Sequence, residues 1–189
     1  IESALESKFI DKVILSTDIE ENIKLAESLG AECPFIRPPE LSEDWVSLET
    51  VQQFTLEKLE SLGMQPDLLV HLEPTFPFRE KDLLDKMISY TLENGFDSVI
   101  ASHRESGFIW QEQKDSNYKR IDSGDVPRSL KEKAFIGQHG LGCVTYPSSL
   151  RQGSLLGKNI GLYKVDNPIS FIEVRDEKTK KIAEKLFFN

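Results

Sequence analysis

The chain has 189 residues, 39% hydrophobic and 29% charged, with a formal net charge of −9 at pH 7. That is the size and balance of one globular domain with a buried core, and the negative charge argues against nucleic acid or an anionic membrane as its main partner. No apolar run approaches the roughly 18 residues needed to cross a bilayer. The opening IESALESKFIDK is charged and amphipathic, unlike a secretory signal. The two cysteines, Cys33 and Cys143, lie far apart without metal-ligand spacing, so buried free thiols in a cytoplasmic protein are predicted.

Val13-Ile14-Leu15-Ser16-Thr17 reads as a short buried strand. Asp18 is placed to cap the helix that follows, whose apolar positions Ile19, Ile23, Ala26 and Leu29 keep helical spacing up to a stop at Gly30. A second strand, ECPFI, leads into the loop RPPELSEDWV. Ser47 then caps a longer helix, with Leu48, Val51, Phe54, Thr55, Leu59 and Leu62 on one side and Gly63 as its stop. DLLVHLEP is a third strand, the helix EKDLLDKMISYTLENG ends at Gly95, and DSVIASHR is a fourth strand.

Strands separated by roughly 10–15 residues of helix pattern predict an α/β fold, a mostly parallel sheet with helices on both faces. Ligands of such sheets bind beyond the carboxyl ends of the strands. Three loops gather at that edge: Ser16 to Asp18, Arg37 to Trp45, and the stiff turn Glu73-Pro74-Thr75-Phe76-Pro77-Phe78-Arg79. Beyond Arg104 the chain turns polar and glycine-rich, with strand candidates FIWQEQ and GCVTY. Residues 104–150 read as a small β-rich excursion from the main sheet, of the kind that makes a dimer contact. A strand, a loop and an amphipathic helix close a single domain over 1–189.

No nucleophile–histidine–carboxylate arrangement is legible, and His71, His103 and His139 share no ligand-like spacing. The cations offer more. Arg37, beside two prolines, is either held out for a phosphate, ribose or base carbonyl, or ion-paired on the surface. Arg79 either anchors an anion or bridges to Asp82 or Asp85, and Arg128 either reaches an acidic substrate or is an ordinary surface residue. Glu173 and Asp176 stand at a strand-to-helix junction, where carboxylates hold magnesium or, in the case of Asp176, cap the last helix.

Three segments in register, Val13-Ile14-Leu15-Ser16-Thr17-Asp18, Phe35-Ile36-Arg37-Pro38-Pro39-Glu40-Leu41 with Asp44, and Leu72-Glu73-Pro74-Thr75-Phe76-Pro77-Phe78-Arg79, resemble the acylneuraminate cytidylyltransferases (CMP-sialic acid synthetases). That family's patterns run like VSTD, RPxEL…D and LQPTSPLR. The resemblance implies a Rossmann-like fold of the nucleotide-diphospho-sugar transferase type. It also implies transfer of CMP from CTP to an acidic keto-sugar with Mg²⁺, in a homodimer engaging neither nucleic acid nor membrane. Carried over by position, Arg37, Asp44 and Ser47 belong to the nucleotide, and Glu73, Pro74, Thr75, Phe76 and Arg128 to the sugar. Arg79 and Asp176 are the expected catalytic residues, and Glu173 and Asp176 the metal ligands.

This chain departs from the pattern in three places. The family opens with a strand and a phosphate-cradling loop of the kind ARGGSKG, whereas this chain begins inside the following helix and is expected to be a fragment or a degenerate relative. Glu73 replaces a glutamine and Phe76 a serine, and the paired aspartates before the last helix become Glu173 with Arg175, or Glu173 with Asp176. A catalytically degenerate binding domain and a Kdo-type cytidylyltransferase are the alternative readings. A glycosyltransferase with a related nucleotide fold is the last reading, because this sequence shows no clear DxD metal motif.

Overall fold

The computed structural model describes residues 1–122, 126–127 and 129–188. The amino-terminal third is mostly helix and loop. A short helix α1 (Glu2–Leu5) precedes the segment expected to be the first strand, where a single parallel bridge, Ile14 to Glu32, stands in its place. The reason is chemical. Glu32 N donates to Val13 O (2.8 Å) and Leu15 N donates to Glu32 O (2.9 Å). The next donor in a parallel register is residue 34, and Pro34 has no N–H. The ladder stops after one rung.

Helix α2 (Glu20–Ser28) ends where expected, with Gly30 at φ +95°. Asp18 does not cap it: the N-cap is Ile19, whose N–H donates to Thr17 Oγ1 (3.2 Å), and Asp18 turns instead toward Arg37. A turn of 3₁₀ helix (Pro39–Leu41) leads to α3 (Leu48–Ser61), where the Ser47 hydroxyl accepts from Thr50 N, and Gly63 at φ +84° is the stop. Its inward residues are Leu56 and Leu59, while Leu62, expected on the apolar side, is exposed.

Strand β1 (Leu69–His71) is followed by the stiff turn, α4 (Leu83–Asn94) and β2 (Ser98–Glu105). Next come a hairpin of β3 (Trp110–Glu112) and β4 (Tyr118–Arg120), then β5 (Ala134–Gly137) and β6 (Cys143–Thr145). Helix α5 (Pro147–Arg151), β7 (Ile160–Lys164), a second 3₁₀ turn (Pro168–Phe171) and α6 (Glu177–Phe187) complete the described chain.

The α/β class holds, but the sheet is richer in antiparallel pairing than the βαβ pattern suggests. β6 lies between β1 and β2 and is antiparallel to both, β5 is antiparallel to β2, and only β7 pairs with β2 in parallel. β1, β2 and β7 therefore share one direction, with an antiparallel strand inserted among them. The excursion expected over 104–150 divides accordingly. Its β3–β4 hairpin leaves the sheet, whereas GCVTY is β6, buried in the middle of it. In the hairpin lobe, Asp122 receives Lys131 Nζ at 2.8 Å and pairs with Arg120, and both cations lie over the Phe108 ring, 4.1 Å away for Arg120 and 4.7 Å for Lys131.

Helices cover both faces. Leu83, Met87 and Ile88 of α4 pack with Val99, Ala101 and Val144 on one face, with Val70 against them. The neighbouring residue Leu69 points the other way, to the cluster of Leu56, Leu150 and Leu155. β2 runs through the middle, and Val99 and Ala101 are fully buried.

One irregularity shapes the functional edge. Along one side of β2, Ser102 faces Gly137 and Ile100 faces Cys143, so the single residue Ala101 is opposed by residues 138–142. Gln138 N donates to Ala101 O (2.7 Å) and Ala101 N donates to Gly142 O (2.8 Å), closing the interruption at its base. The segment Gln138-His139-Gly140-Leu141 is thereby pushed out as a knuckle. Set between β5 and β6, which both pair with β2, it redirects side chains there much as a large β-bulge would.

Candidate functional site

The knuckle and the stiff turn are locked together by one side chain. Arg79 Nε donates to Leu141 O (2.9 Å), Nη1 to Phe76 O (2.8 Å), and Nη2 to both Glu73 O and Gly140 O (2.6 Å each). Burial brings its pKa down to about 10, still far above neutrality, so the guanidinium stays charged while it binds carbonyls. Glu73 N also donates to Gly140 O (2.8 Å). Gly140 packs so closely that a Cβ there would lie 2.6 Å from Glu73 Cδ and 2.7 Å from the Phe76 ring. Only glycine fits that approach.

A third segment joins through Val174 N, which donates to Thr75 O (2.8 Å) and brings Glu173 and Arg175 alongside the turn. The result is a cleft of about 330 Å³ whose walls include Glu49, Glu73, Phe76, His139, Glu173 and Arg175. Phe76 in its wall is buried in the core, and Glu173 pairs with the exposed Arg175 at 2.7 Å.

Glu73 is flanked by His71 and Thr75. Gln52 Nε2 lies 2.7 Å from His71 Nδ1 and steadies the ring. Nε2 is 3.5 Å from Glu73 Oε1, and Thr75 Oγ1 donates to Oε2 (3.3 Å). The His71 ring beside it, then Thr75, hold the Glu73 carboxyl below the usual range despite partial burial, so it is ionised at neutral pH. On the knuckle, burial and the nearby His71 lower the His139 pKa, keeping that ring neutral. Cys143 is a buried thiol pushed up to about 12, which makes it inert packing.

Among the described residues, the other expected ones are not part of the cleft lining. Arg37 joins two loops: Nε donates to Ser42 Oγ (3.0 Å), Nη1 to Ser16 O (3.4 Å) and Nη2 to Asp18 Oδ1 (3.3 Å). Asp44 is exposed in the same loop, and Ser47 caps α3 immediately before the cleft residues Leu48 and Glu49. Pro74 is exposed at the turn, and Arg128 lies outside the described residues. The structure therefore brings together Glu73, Phe76 and Glu173 in the cleft wall, with Thr75 hydrogen-bonded to Glu73. Glu49, His139 and Gly140 were not anticipated; a glycine pair around Leu141, in HGLG, is the sequence feature that marks the close approach.

Asp176 forms a capping box. Its Oδ1 accepts from Thr179 N (2.7 Å) and Thr179 Oγ1 (2.8 Å), and Thr179 Oγ1 accepts from Asp176 N (3.0 Å). Among the described residues no group of three or more His, Cys, Asp or Glu side chains is gathered as a metal site. Two substitutions separate the capping and metal roles. Asp176→Ala is expected to cost about 1 kcal/mol of stability and Asp176→Asn almost none, because asparagine caps nearly as well. Magnesium-dependent activity lost in the asparagine variant at full stability would reveal a ligand role, and unchanged activity would exclude it.

Residues 1–125 match the family model for cytidylyltransferases. The chain belongs to the cytidylyltransferase family. The matched region holds Arg37, Asp44, Ser47 and the whole turn from Glu73 to Arg79. The chain is 38% identical to a pseudaminic acid cytidylyltransferase of Campylobacter jejuni over 94 residues, 50% of this chain and 40% of that protein. It is 33% identical to the N-acylneuraminate cytidylyltransferase of Oncorhynchus mykiss over 115 residues, 60% of this chain and 25% of that one. A longer match, 27% identity across 97% of this chain and 80% of the relative, is to the post-translational flagellin modification protein B of Campylobacter coli. The chain spans only about 40% of the length of the pseudaminic acid enzymes.

Solved structures give the fold. A 4-diphosphocytidyl-2C-methyl-D-erythritol synthase from Anaerococcus prevotii superimposes with a TM-score of 0.68 at 15% identity, covering 100% of this chain and 86% of that one. A CMP:2-keto-3-deoxy-manno-octonic acid synthetase complexed with CTP does so at 0.62 and 15%, covering 98% and 83%. No described helix is long and apolar enough to cross a membrane.

Proposed function

We propose that the protein transfers CMP from CTP to an acidic keto-sugar of the sialic or pseudaminic acid class, releasing pyrophosphate. The observation that carries this reading is the cleft itself: the turn from Glu73 to Arg79, inside the cytidylyltransferase match, forms its wall together with the knuckle and Glu173. In the reaction the anomeric hydroxyl oxygen attacks the α-phosphorus. A new C–O–P linkage forms, the bond to the bridging oxygen of pyrophosphate breaks, and the hydroxyl proton is released to solvent or a nearby base. Such chemistry asks the protein to position reactants and offset charge more than to form covalent bonds.

Arg37, with Asp44 and Ser47 nearby, serves the nucleotide side, where its guanidinium, two hydrogen bonds of which go to neutral oxygens, faces an anionic ligand at modest reorganisation cost. Glu73, Pro74, Thr75 and Phe76 shape the sugar side, and Arg128 is assigned to the sugar carboxylate. Arg79 acts as a positioning residue, since its donors hold the carbonyls of Glu73, Phe76, Gly140 and Leu141. Magnesium binds with one or two carboxylates and completes its shell with phosphate oxygens and water. Glu173 in the cleft suits that demand once the exposed Arg175 swings away, and Asp176 is its neighbour in the same junction. When bound, the ion would neutralise the phosphates. A homodimer formed through the hairpin lobe, where Phe108, Trp110, Tyr118 and Ile121 are exposed, and a cytoplasmic location complete the reading.

The test is pyrophosphate release from CTP and Mg²⁺ across a panel of keto-sugar acids. Release dependent on one acid is expected, with Arg37→Ala reducing kcat/KM by about 10- to 100-fold through loss of a charge-assisted contact. Absence of both release and CTP binding would overturn the proposal and favour a binding domain that has lost catalysis.

A further inference from the structure

An acidic ligand entering the cleft meets three carboxylates, Glu49, Glu73 and Glu173. They repel it unless a cation in the wall answers its charge. Arg79 feels Glu73, but its Nε, Nη1 and Nη2 are spent on four carbonyls. His139 on the knuckle is held neutral by its surroundings. Among the described residues of the wall, Arg175 is the one lysine or arginine.

The Arg175 backbone is fixed from two sides. Val174 N donates to Thr75 O (2.8 Å), and Arg175 N donates to Thr179 Oγ1 (3.0 Å). The side chain beyond it is 75% exposed, and its ion pair, Nε to Glu173 Oε1 at 2.7 Å, joins it to a carboxylate only 17% exposed. Neither Nη group has a partner among the described residues. The hydrogen bond and charge of Glu173, and behind them the charge of Glu73, raise the Arg175 pKa. The inner partner of the pair is thus enclosed, and the outer one is free to move. A pair so open to water on one side is worth little, so exchanging Glu173 for another oxyanion costs little.

We propose that Arg175 is the residue by which the cleft grips its anionic ligand. The guanidinium leaves Glu173 and takes two oxygens of a carboxylate or phosphate through its planar fork. Glu173 is the resting counter-ion: it keeps the cation at the cleft and competes with the ligand for it. The inference rests on the proposed function in one respect only, that the cleft takes an acidic ligand.

Calorimetric titration in EDTA tests it, with two probes: the methyl glycoside of a nine-carbon keto-sugar acid, and CTP. Arg175→Gln is expected to weaken at least one of them by about tenfold or more, and Arg175→Lys by about threefold, since lysine keeps the charge and loses the fork. A loss confined to the glycoside assigns the grip to the sugar carboxylate, and one confined to CTP assigns it to phosphate. Glu173→Gln is expected to tighten the same probe by about threefold, because the resting competitor is gone, and Arg175→Gln in the same chain should abolish that gain. A merely structural ion pair would give no such gain. Because the side chain is exposed, the urea midpoint of Arg175→Gln should match that of the unmodified protein; if it falls, Arg175→Lys decides. Both probes binding the Arg175 variants as they bind the unmodified protein would overturn the inference alone. So would a Glu173→Gln gain that is absent or survives without Arg175. Failure of the unmodified protein to bind either probe would overturn the proposed function with it, so the two failures are told apart.

Discussion

Arg79→Lys should destabilise the protein by about 3 kcal/mol, although it preserves the charge. The guanidinium satisfies four carbonyls on two separate segments through a planar fork, and an ammonium cannot reach them all. Partly buried acceptors left without donors cost about 1–3 kcal/mol each before relaxation and water entry reduce the sum. Equilibrium urea unfolding would show this as a lower midpoint with an unchanged slope. A loss below about 1 kcal/mol would mean that the turn and knuckle are held by the Glu73–Gly140 backbone bond and packing alone. Because Arg79 touches the cleft only through backbone, the variant should also raise KM for the sugar acid, as Glu73 and the knuckle lose their common anchor.

Gly140→Ala should damage the site more than the fold. The added methyl would meet Glu73 Cδ at 2.6 Å and the Phe76 ring at 2.7 Å. Phe76 is wedged in the core, so the flexible carboxylate moves first, away from His71 and Thr75. Overpacking of this kind costs about 1–3 kcal/mol. The more telling readout is the His71 ring signal in NMR, which should shift as its Glu73 neighbour departs, together with a loss of sugar binding of about tenfold or more. Unchanged binding and an unshifted His71 signal would show that the knuckle yields instead, and that its contact with Glu73 does not set the cleft.

Much of the local structure was legible because it follows from short-range chemistry. Ser47 as a cap, Gly30, Gly63 and Gly95 as stops, and the strand in DSVIASHR depend on backbone geometry and residue type within a few positions, and all stand where the sequence puts them. The early strand over Val13 to Thr17 looked equally sound, yet it shrinks to one bridge because a strand needs a partner with donors, and Pro34 supplies none. The capping role expected of Asp18 failed for a related reason: Arg37, far along the chain, competes for the same carboxylate.

The sequence by itself determined most of the helices and their glycine stops, the α/β class and the motif order that marks a cytidylyltransferase. Each of these is written in contiguous residues, where 3.6- and 2-residue periods and the special backbone habits of proline and glycine leave few options. Tertiary structure decided which segments meet: that GCVTY returns between β1 and β2, that five residues must bulge against Ala101, and that Arg79 holds the resulting knuckle to the turn. Strand order and long-range hydrogen bonds arise from pairing between distant segments, and residue spacing along the chain does not encode which unpaired edge a strand will find. The cleft, with Glu49, Glu73, His139 and Glu173 drawn from four separate parts of the chain, exists only because those pairings were made.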